Sequence, residues 1–320
     1  MASTTADHAP ASADVPRQTS RNTLGKRIWA NRAVYLFMLP GLLWYVVFHY
    51  LPILGNVIAF KHYSVFVGIL DSPWVGLDNF RKMINDPDFL RALKNTLIID
   101  ALQIIFAFPA PLLLALLLHS IMSTRVKRSI QSIVYLPHFL GWAIVIAMWQ
   151  QVFGGTGFVN QVLMGWGFDR VNIMNNPDIF YGLVVAQSIW KEIGWGTIIF
   201  LAALTKIDTQ LYEAAVIDGA NGFKRLITIT LPGIRSIVVL LLILRLGSIM
   251  TVGFEQYFLQ RQAVGAEVAE VLDTFVYFRG IGQNDWSFAA AVGFVNTIVG
   301  AVLIFTSNML AKKFFDEGIF

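Results

Sequence analysis

Long apolar segments restrict how this chain can fold more than any other feature. Each can form a helix that crosses about 30 Å of hydrocarbon, and a helix satisfies its own backbone hydrogen bonds, as the bilayer interior requires. Polar stretches separate six such segments, at residues 33–60, 95–121, 130–153, 179–204, 234–259 and 286–311. The sequence therefore predicts an all-α membrane protein with six transmembrane helices, whose prolines mark kinks or broken ends.

The composition agrees with a membrane location and excludes several kinds of site. Only 14% of the residues are charged and 56% are hydrophobic, whereas soluble domains average about 25% charged residues. There is no cysteine, which excludes disulfides, thiolate metal sites and cysteine nucleophiles. The five histidines show no metal-ligand spacing, and no nucleic-acid-binding motif is visible. We therefore expect no bound metal and no nucleic-acid partner.

The chain begins with a segment unlike the rest. Residues 1–23 are rich in Ala, Ser, Thr and Pro, and this composition is typical of disorder. They are not expected to be a signal peptide, because no apolar core follows within the first 30 residues. Residues 24–320 are predicted to form one transmembrane domain.

The distribution of Lys and Arg predicts the orientation in the membrane. The N-terminus, the loops 122–129 and 205–235 and the C-terminus carry 14 of these residues, against eight in the opposite loops. Cytoplasmic loops are enriched in Lys and Arg. Both termini and the 205–235 loop are therefore predicted to be cytoplasmic, although the moderately basic loop 61–94 weakens the contrast.

A polar insert of about 30 residues, 205–233, separates the fourth and fifth predicted spans. Asp208 or Thr209 can cap the start of a short helix, and Gly219 and Gly222 allow a turn. The pattern predicts a helix, a turn and a second helical piece on the cytoplasmic face. From shape alone, the insert is either a contact site for another protein or an amphipathic helix that only connects two spans.

The spacing of residues in this insert is specific. It reads Glu-Ala-Ala, three residues, Gly, nine residues, Ile, one residue, Leu-Pro, and its positions are Glu213, Ala214, Ala215, Gly219, Ile229, Leu231 and Pro232, accompanied by Asp218. This pattern resembles the EAA signature of permease subunits of binding-protein-dependent ABC importers. The resemblance implies that residues 205–233 form a coupling loop, whose helix docks on a cytoplasmic ATPase subunit.

Other segments resemble the carbohydrate-importer branch of that family. They are Leu39-Pro40, residues 75–80, Asn95-Thr96 and Tyr135-Leu136-Pro137. Residues 190–195 and 272–277 are similar to its polysaccharide and complex-oligosaccharide subgroup, which includes importers of the alginate type. Unlike the maltose-type long subunit, the chain has no large extra periplasmic domain.

The resemblance implies both an architecture and a set of partners. It implies the ABC importer type I permease fold in the plasma (inner) membrane of a bacterium. It also implies a second, unlike permease subunit, two cytoplasmic ATPase subunits and an external substrate-binding protein. The chain itself contains no P-loop. ATP and Mg would therefore be bound by the partner subunits, and this chain is expected to be non-catalytic.

Ionisable groups at membrane depth cost about 2.5–3.5 kcal/mol each on insertion scales, so they normally line a cavity or pair. A sugar path needs hydrogen-bonding groups and aromatic faces. The candidate residues for such a path are Trp190, Lys191, Glu192, Trp195, Arg245, Ser248, Glu255, Gln256 and Tyr257, with Asp100 a further buried charge. The alternative is that these residues form salt bridges between helices or contact the second permease subunit.

Geometry along ideal helices adds two expectations. At 100° per residue, Arg245, Ser248 and Glu255 share one helix face. Lys191 and Glu192 are neighbours and cannot pair across a turn, so each is expected to have a partner elsewhere. The cations Lys191 and Arg245 favour an anionic sugar, but the neighbouring acids weaken this indication.

The function that these features favour is ATP-driven import of an oligosaccharide or polysaccharide, with an acidic, alginate-like substrate included. One alternative is a permease of the same type for another solute. Another is an ion-coupled secondary transporter, but we find no clear internal repeat, and that function leaves the insert unexplained. An intramembrane enzyme is disfavoured because no nucleophile–base pattern is evident.

Overall fold

The computed structural model describes residues 29–315 and residue 318, and this part of the chain is mainly helical. Within it, β-structure is limited to one isolated bridge between Lys61 and Trp74. The predicted disordered tail, 1–23, lies outside the described residues. The chain divides into two units, Met1–Gly55 and Asn56–Phe320.

The first unit, described from residue 29, is helical. Helix α1 (Arg32–Tyr45) continues through a π-helical turn, Val46–Tyr50, into α2 (Leu51–Gly55). Nearly all of its large apolar side chains are exposed, and Phe37 is 86% exposed. A helix that is apolar on all sides suits contact with lipid or with another membrane helix.

The second unit contains most of the helices. Its first half comprises α3 (Gly68–Asp71), α4 (Asp78–Asn85), α5 (Pro87–Leu102), α6 (Pro109–Ser120), α7 (Thr124–Tyr135), α8 (Trp142–Phe153) and α9 (Phe158–Gly165). Its second half comprises α10 (Phe180–Leu204), α11 (Thr209–Ile217), α12 (Gly222–Arg225), α13 (Leu231–Gly233), α14 (Arg235–Gly247), α15 (Glu255–Val264), α16 (Ala266–Ala269), α17 (Leu272–Tyr277) and α18 (Trp286–Phe315). The 3₁₀ turns are Asn56–Phe60, Leu136–Phe139 and Pro177–Ile179.

Helix α10 lies at the centre of the second unit. It packs along α6 and also contacts α5, α7 and the turn Leu136–Phe139. One side of it enters an apolar cluster in which Leu118, Phe200 and Leu204 are almost fully buried. Close approach to α7 requires Gly194, because a Cβ at that position would lie 2.0 Å from the Val134 carbonyl oxygen.

The last helix is antiparallel to α14. Gly247, at the end of α14, lies beside Gly300 and Ile304. Further along the chain, Thr251 lines a cavity together with Gly293, which is nearer the start of α18. Small residues allow this close contact between membrane helices. The start of α14 and the C-terminal end of α18 therefore lie at the same end of this helix pair.

Three prolines lie two residues beyond a π-helical turn: Pro52, Pro109 and Pro232. In such a turn an amide bonds the carbonyl five residues back, as the Phe108 amide bonds the Gln103 carbonyl oxygen at 2.8 Å. A proline cannot donate a backbone hydrogen bond, and its ring clashes with the carbonyl four residues earlier. The extra residue in the π-helical turn relieves this clash, so helical structure continues through each of the three prolines.

On length and composition, four described helical segments can cross a membrane: Arg32–Phe60, Pro87–Ser120, Trp142–Gly165 and Trp286–Lys313. A fifth arises if the pair Gly222–Gly233 and Arg235–Gly247, bent by 60°, counts as one span. Helix α10 has 25 residues and is long enough to cross. It is not among these segments, because polar side chains such as Gln187 and Lys191 lower its hydropathy. The count of six spans remains a prediction.

Two predicted spans are interrupted. The segment 130–153 breaks between Tyr135 and Trp142, where a 3₁₀ turn contains the buried Pro137. The segment 234–259 breaks after Gly247 and resumes as a helix at Glu255. Gly253 within this break has φ +102°, a conformation that an α-helix cannot contain. Hydropathy predicts which residues enter the bilayer but does not detect such breaks.

The tight contact at Gly194 generates a prediction about stability. We expect Gly194→Ala to lower the free energy of unfolding by about 1–3 kcal/mol, because the new methyl group collides with a backbone carbonyl that cannot move freely. Gly182→Ala, on the same helix with nothing within 4 Å of its Cβ, is the matched control and should stabilise the helix by up to about 1 kcal/mol. Thermal melting of the purified protein in detergent measures both, and equal melting temperatures would contradict the packing.

Candidate functional site

A groove of about 450 Å³ lies between α10 and α14, beside the start of α6. Four residues that the sequence singled out for a sugar path line it together: Glu192, Trp195, Arg245 and Ser248. The polar side chains of Gln103 and Ser188 also line it, and the rest of the wall is mostly apolar. The groove therefore combines an aromatic ring with a few separated polar groups, which is typical of small-ligand sites.

Arg245 connects α14 to α5. Its guanidinium donates to Asp100 Oδ1 and to Gln103 Oε1, and a second nitrogen lies 3.4 Å from Ser248 Oγ. Asp100 is fully buried, and its second carboxylate oxygen has no hydrogen-bond partner among the described residues. Arg245 thus serves as the counterion of a buried acid while part of its side chain remains at the groove.

Lys191 and Glu192 contact each other directly, contrary to the expectation that neighbours cannot pair. Lys191 Nζ lies 3.0 Å from Glu192 Oε1 and also donates to the His138 carbonyl oxygen at 2.9 Å. Both long side chains reach the turn at His138, where they meet each other. The expectation considered only the directions in which side chains leave an ideal helix. Glu192 Oε2 is 2.6 Å from His138 Nδ1, so the predicted outside partner of Glu192 is also present.

Gln256 and Tyr257 are buried behind the groove. Gln256 Nε2 donates to the Val184 carbonyl oxygen at 2.9 Å and to Gln187 Oε1 at 3.0 Å. Gln103 Nε2 donates to the Tyr257 hydroxyl at 3.2 Å. These two predicted path residues therefore join α15 to α10 and to the π-helical turn that follows α5.

Glu255 and Trp190 also lie away from the groove lining. Glu255 is exposed, and the predicted shared face with Arg245 is wrong because α14 ends at Gly247. A rotation of 100° per residue holds only within one continuous helix. Trp190 instead meets Trp149 edge to face, with ring centroids 6.4 Å apart.

The charges near the groove are paired within the protein. Arg245 pairs with Asp100, and Lys191 pairs with Glu192. No surplus positive charge therefore remains from these two cations to attract an anionic sugar. Lys191 and Arg245 therefore do not support a preference for an acidic substrate, and such a preference needs other observations.

The insert folds largely as the sequence predicts. Asp208 caps α11, since its carboxylate accepts a hydrogen bond from the Gln210 amide at 2.9 Å. Gly219 turns the chain with φ +71°, a left-handed conformation that glycine adopts without a steric cost. Asn221 caps the second piece, α12, by accepting from the Lys224 amide at 2.8 Å.

The two limbs of the insert are braced but leave an apolar surface uncovered. The hydroxyl groups of Tyr212 and Thr230 lie 2.9 Å apart, and Ile207 packs against Gly233. The signature residues Glu213, Ala214, Asp218, Gly219, Leu231 and Pro232 are exposed, whereas Ala215 and Ile229 are half-buried. Exposed apolar side chains accompany them: Leu211, Val216, Ile217, Phe223 and Ile227. Such a patch is typical of a protein-contact surface.

Sequence reasoning did not identify Gln103 or His138 as parts of the site. Both are polar side chains within predicted spans, and this is a detectable signal because such residues are costly in a membrane. His138 was considered only for metal-ligand spacing. Its role depends on the break after Tyr135, which places its ring against α10.

The chain is similar to proteins of known class over most of its length. Residues 107–316 match the family described as binding-protein-dependent transport system inner membrane component. The protein LplB of Bacillus subtilis is 47% identical over 291 residues, covering 91% of this chain and 92% of LplB. The polygalacturonan/rhamnogalacturonan transport system permease protein YteP of the same organism is 41% identical over 305 residues, covering 95% of each chain.

A solved structure shares the same fold. It is a chain from the crystal structure of a bacterial alginate ABC transporter in complex with an alginate pentasaccharide-bound periplasmic protein. That chain is 35% identical in sequence and superposes with a TM-score of 0.85, and the match covers 92% of this chain and 99% of the other.

The Asp100–Arg245 pair generates a prediction about stability. Arg245→Ala should destabilise the protein by about 3–5 kcal/mol, because it leaves a buried carboxylate without its counterion. The neutral pair Asp100→Asn with Arg245→Gln should lose much less, since neither charge remains. Thermal melting of the three purified proteins compares them. If the double variant were less stable than Arg245→Ala, the proposed charge compensation would be wrong.

Proposed function

The chain belongs to the family of binding-protein-dependent transport system inner membrane components, and we propose that it is the permease subunit of an ATP-driven importer for an acidic oligosaccharide or polysaccharide. The observation that carries this proposal is the likeness over almost the whole length to the alginate transporter chain. A second matching chain, 35% identical, comes from the crystal structure of a bacterial ABC transporter involved in the import of the acidic polysaccharide alginate. The relative YteP is named for polygalacturonan and rhamnogalacturonan.

The groove between α10 and α14 is the proposed substrate path. Trp195, which is 46% exposed, would contact the C–H face of a sugar ring. Ser188, Glu192 and Ser248 would exchange hydrogen bonds with its hydroxyl groups. Because the remaining wall is apolar and the charges are already paired, contacts with the sugar would be few and weak. A permease needs this property, since the substrate must leave as easily as it enters.

The insert is the proposed coupling loop. Its exposed apolar surface, around Leu211, Ile217 and Phe223, would dock on a cytoplasmic ATPase subunit. The bracing between Tyr212 and Thr230 makes the insert a unit that can move as one body with α14, which begins at Arg235 just after the 60° bend. Movement of the docked ATPase would thereby reach the groove wall at Arg245. The binding energy of nucleotide would favour one of two permease states.

The remaining parts of the proposal concern partners and topology. The functional transporter would contain a second, unlike permease, two ATPase subunits that bind ATP and Mg, and an external substrate-binding protein. This chain would span the bacterial plasma membrane six times from residue 24 onward, with α10 as one of the spans and both termini in the cytoplasm. It would catalyse no reaction itself.

Uptake by the reconstituted transporter tests the substrate and the energy source together. We expect ATP-dependent uptake of an oligogalacturonate or an alginate oligosaccharide, and at least tenfold slower uptake of a neutral xylo-oligosaccharide of the same length. Uptake that continues with ATPase-inactive partner subunits would contradict the ATP-driven mechanism. Equal uptake of the acidic and neutral sugars would contradict the proposed substrate class alone.

Coupling predicts a separate effect for the insert. Glu213→Lys should abolish most of the substrate-stimulated ATPase activity of the assembled transporter, because it reverses the charge of an exposed signature residue at the docking surface. Gln210→Lys places the same side chain on the same exposed helix outside the signature and is the matched control. Similar melting temperatures for both variants would show intact spans. Wild-type stimulation in Glu213→Lys would remove the coupling role.

A further inference from the structure

His138 makes three separate connections to α10. Its ring nitrogen Nδ1 lies 2.6 Å from Glu192 Oε2, and its carbonyl oxygen accepts from Lys191 Nζ at 2.9 Å. Its ring also stacks on the Trp195 indole, with centroids 4.4 Å apart and planes inclined by only 5°. Since an ionised carboxylate accepts hydrogen bonds and cannot donate them, Nδ1 is the donor to Glu192.

These contacts restrain the imidazole. Glu192 is hydrogen-bonded to the ring, and Lys191 is hydrogen-bonded to the backbone carbonyl of the same residue. Lys191 and Glu192 also pair with each other at 3.0 Å. The local chain adds to this rigidity, because the 3₁₀ turn begins with Leu136 and the buried Pro137. A ring held from two sides gives a firm support to any group stacked on it.

The supported group is Trp195. One face of the indole is covered by His138, and Phe139 meets the indole edge on, with centroids 6.2 Å apart at 83°. The indole remains 46% exposed and lines the groove. Two sides of an aromatic box are therefore present at the wall of the groove between α10 and α14.

We propose that His138 is a positioning residue: it supports Trp195 from behind, so that the free indole face is presented to a sugar ring in the groove at a fixed angle. This inference rests on the proposed sugar path and adds a residue to it. Loss of the imidazole would let the indole rotate into the space behind it. The loss would therefore act through Trp195 and not through the substrate directly.

A double-mutant cycle in the assembled, reconstituted transporter tests this role. The measured quantity is the maximal rate of oligogalacturonate uptake per assembled complex, at saturating binding protein. We expect Trp195→Ala and His138→Ala each to lower it by about threefold to tenfold, the range of aromatic contact energies. The double variant should be no slower than Trp195→Ala alone, because His138 acts only through the indole. Multiplied losses in the double variant would overturn the proposal.

Two further substitutions separate stacking from simple hydrogen bonding. His138→Phe keeps an aromatic ring behind the indole but loses the donor to Glu192, whereas His138→Gln keeps a donor but loses the ring. We expect the Phe variant to retain most of the uptake and the Gln variant to resemble His138→Ala. The reverse order would show that His138 serves only to satisfy Glu192, and would overturn the positioning role.

The design also separates this inference from the proposed function. Trp166, which is 73% exposed and does not line the groove, provides the matched control Trp166→Ala, expected to have wild-type uptake. If Trp195→Ala also had wild-type uptake, the sugar path itself would be wrong. If Trp195→Ala were slow and His138→Ala normal, the path would stand and the positioning role would be lost.

Discussion

The structure depends on how the buried polar side chains of α10 are satisfied. A buried polar group without a hydrogen-bond partner is costly, and neighbouring elements supply the partners. Gln187 bonds to Gln260 and Gln256 on α15, and Lys191 bonds to the turn at His138. Thr197 donates to the Pro111 carbonyl oxygen on α6 at 3.2 Å. These bonds arrange α15, α6 and the turn around one central helix, and an unsatisfied group at any of them would be costly.

The same arrangement produces the groove. Once Gln187 and Lys191 face neighbouring elements, the adjacent positions Ser188, Glu192 and Trp195 turn toward α14, where Arg245 is held by Asp100. One stripe of α10 therefore holds neighbouring elements, and the adjacent stripe lines the proposed path. In that proposal the interior charges stabilise one another, and the sugar would meet a mainly apolar and aromatic wall. Movement at the insert would reach the groove through α14, which follows the insert in the chain.

Features that depend on local sequence could be predicted well. The cap at Asp208, the turn at Gly219 and the helix between them follow from residues a few positions apart, and hydropathy identified the apolar segments. Features that depend on distant partners could not. The helix break near Gly253 removed Glu255 from the predicted polar face, and the pairing of Lys191 with Glu192 needs the His138 loop beside both.

The central claim is that a sugar passes between α10 and α14, and cysteine protection tests it most directly, because the chain contains no natural cysteine. Single cysteines would replace Ser188 and Ser248, which line the groove, and Ser129, an exposed control residue in a predicted loop outside it. The rate of modification by a water-soluble thiol reagent would be measured in the assembled transporter during ATP hydrolysis, with and without binding protein loaded with oligogalacturonate. The account predicts that the sugar slows modification at residues 188 and 248 and leaves residue 129 unchanged. Equal rates with and without sugar at both groove positions would contradict it.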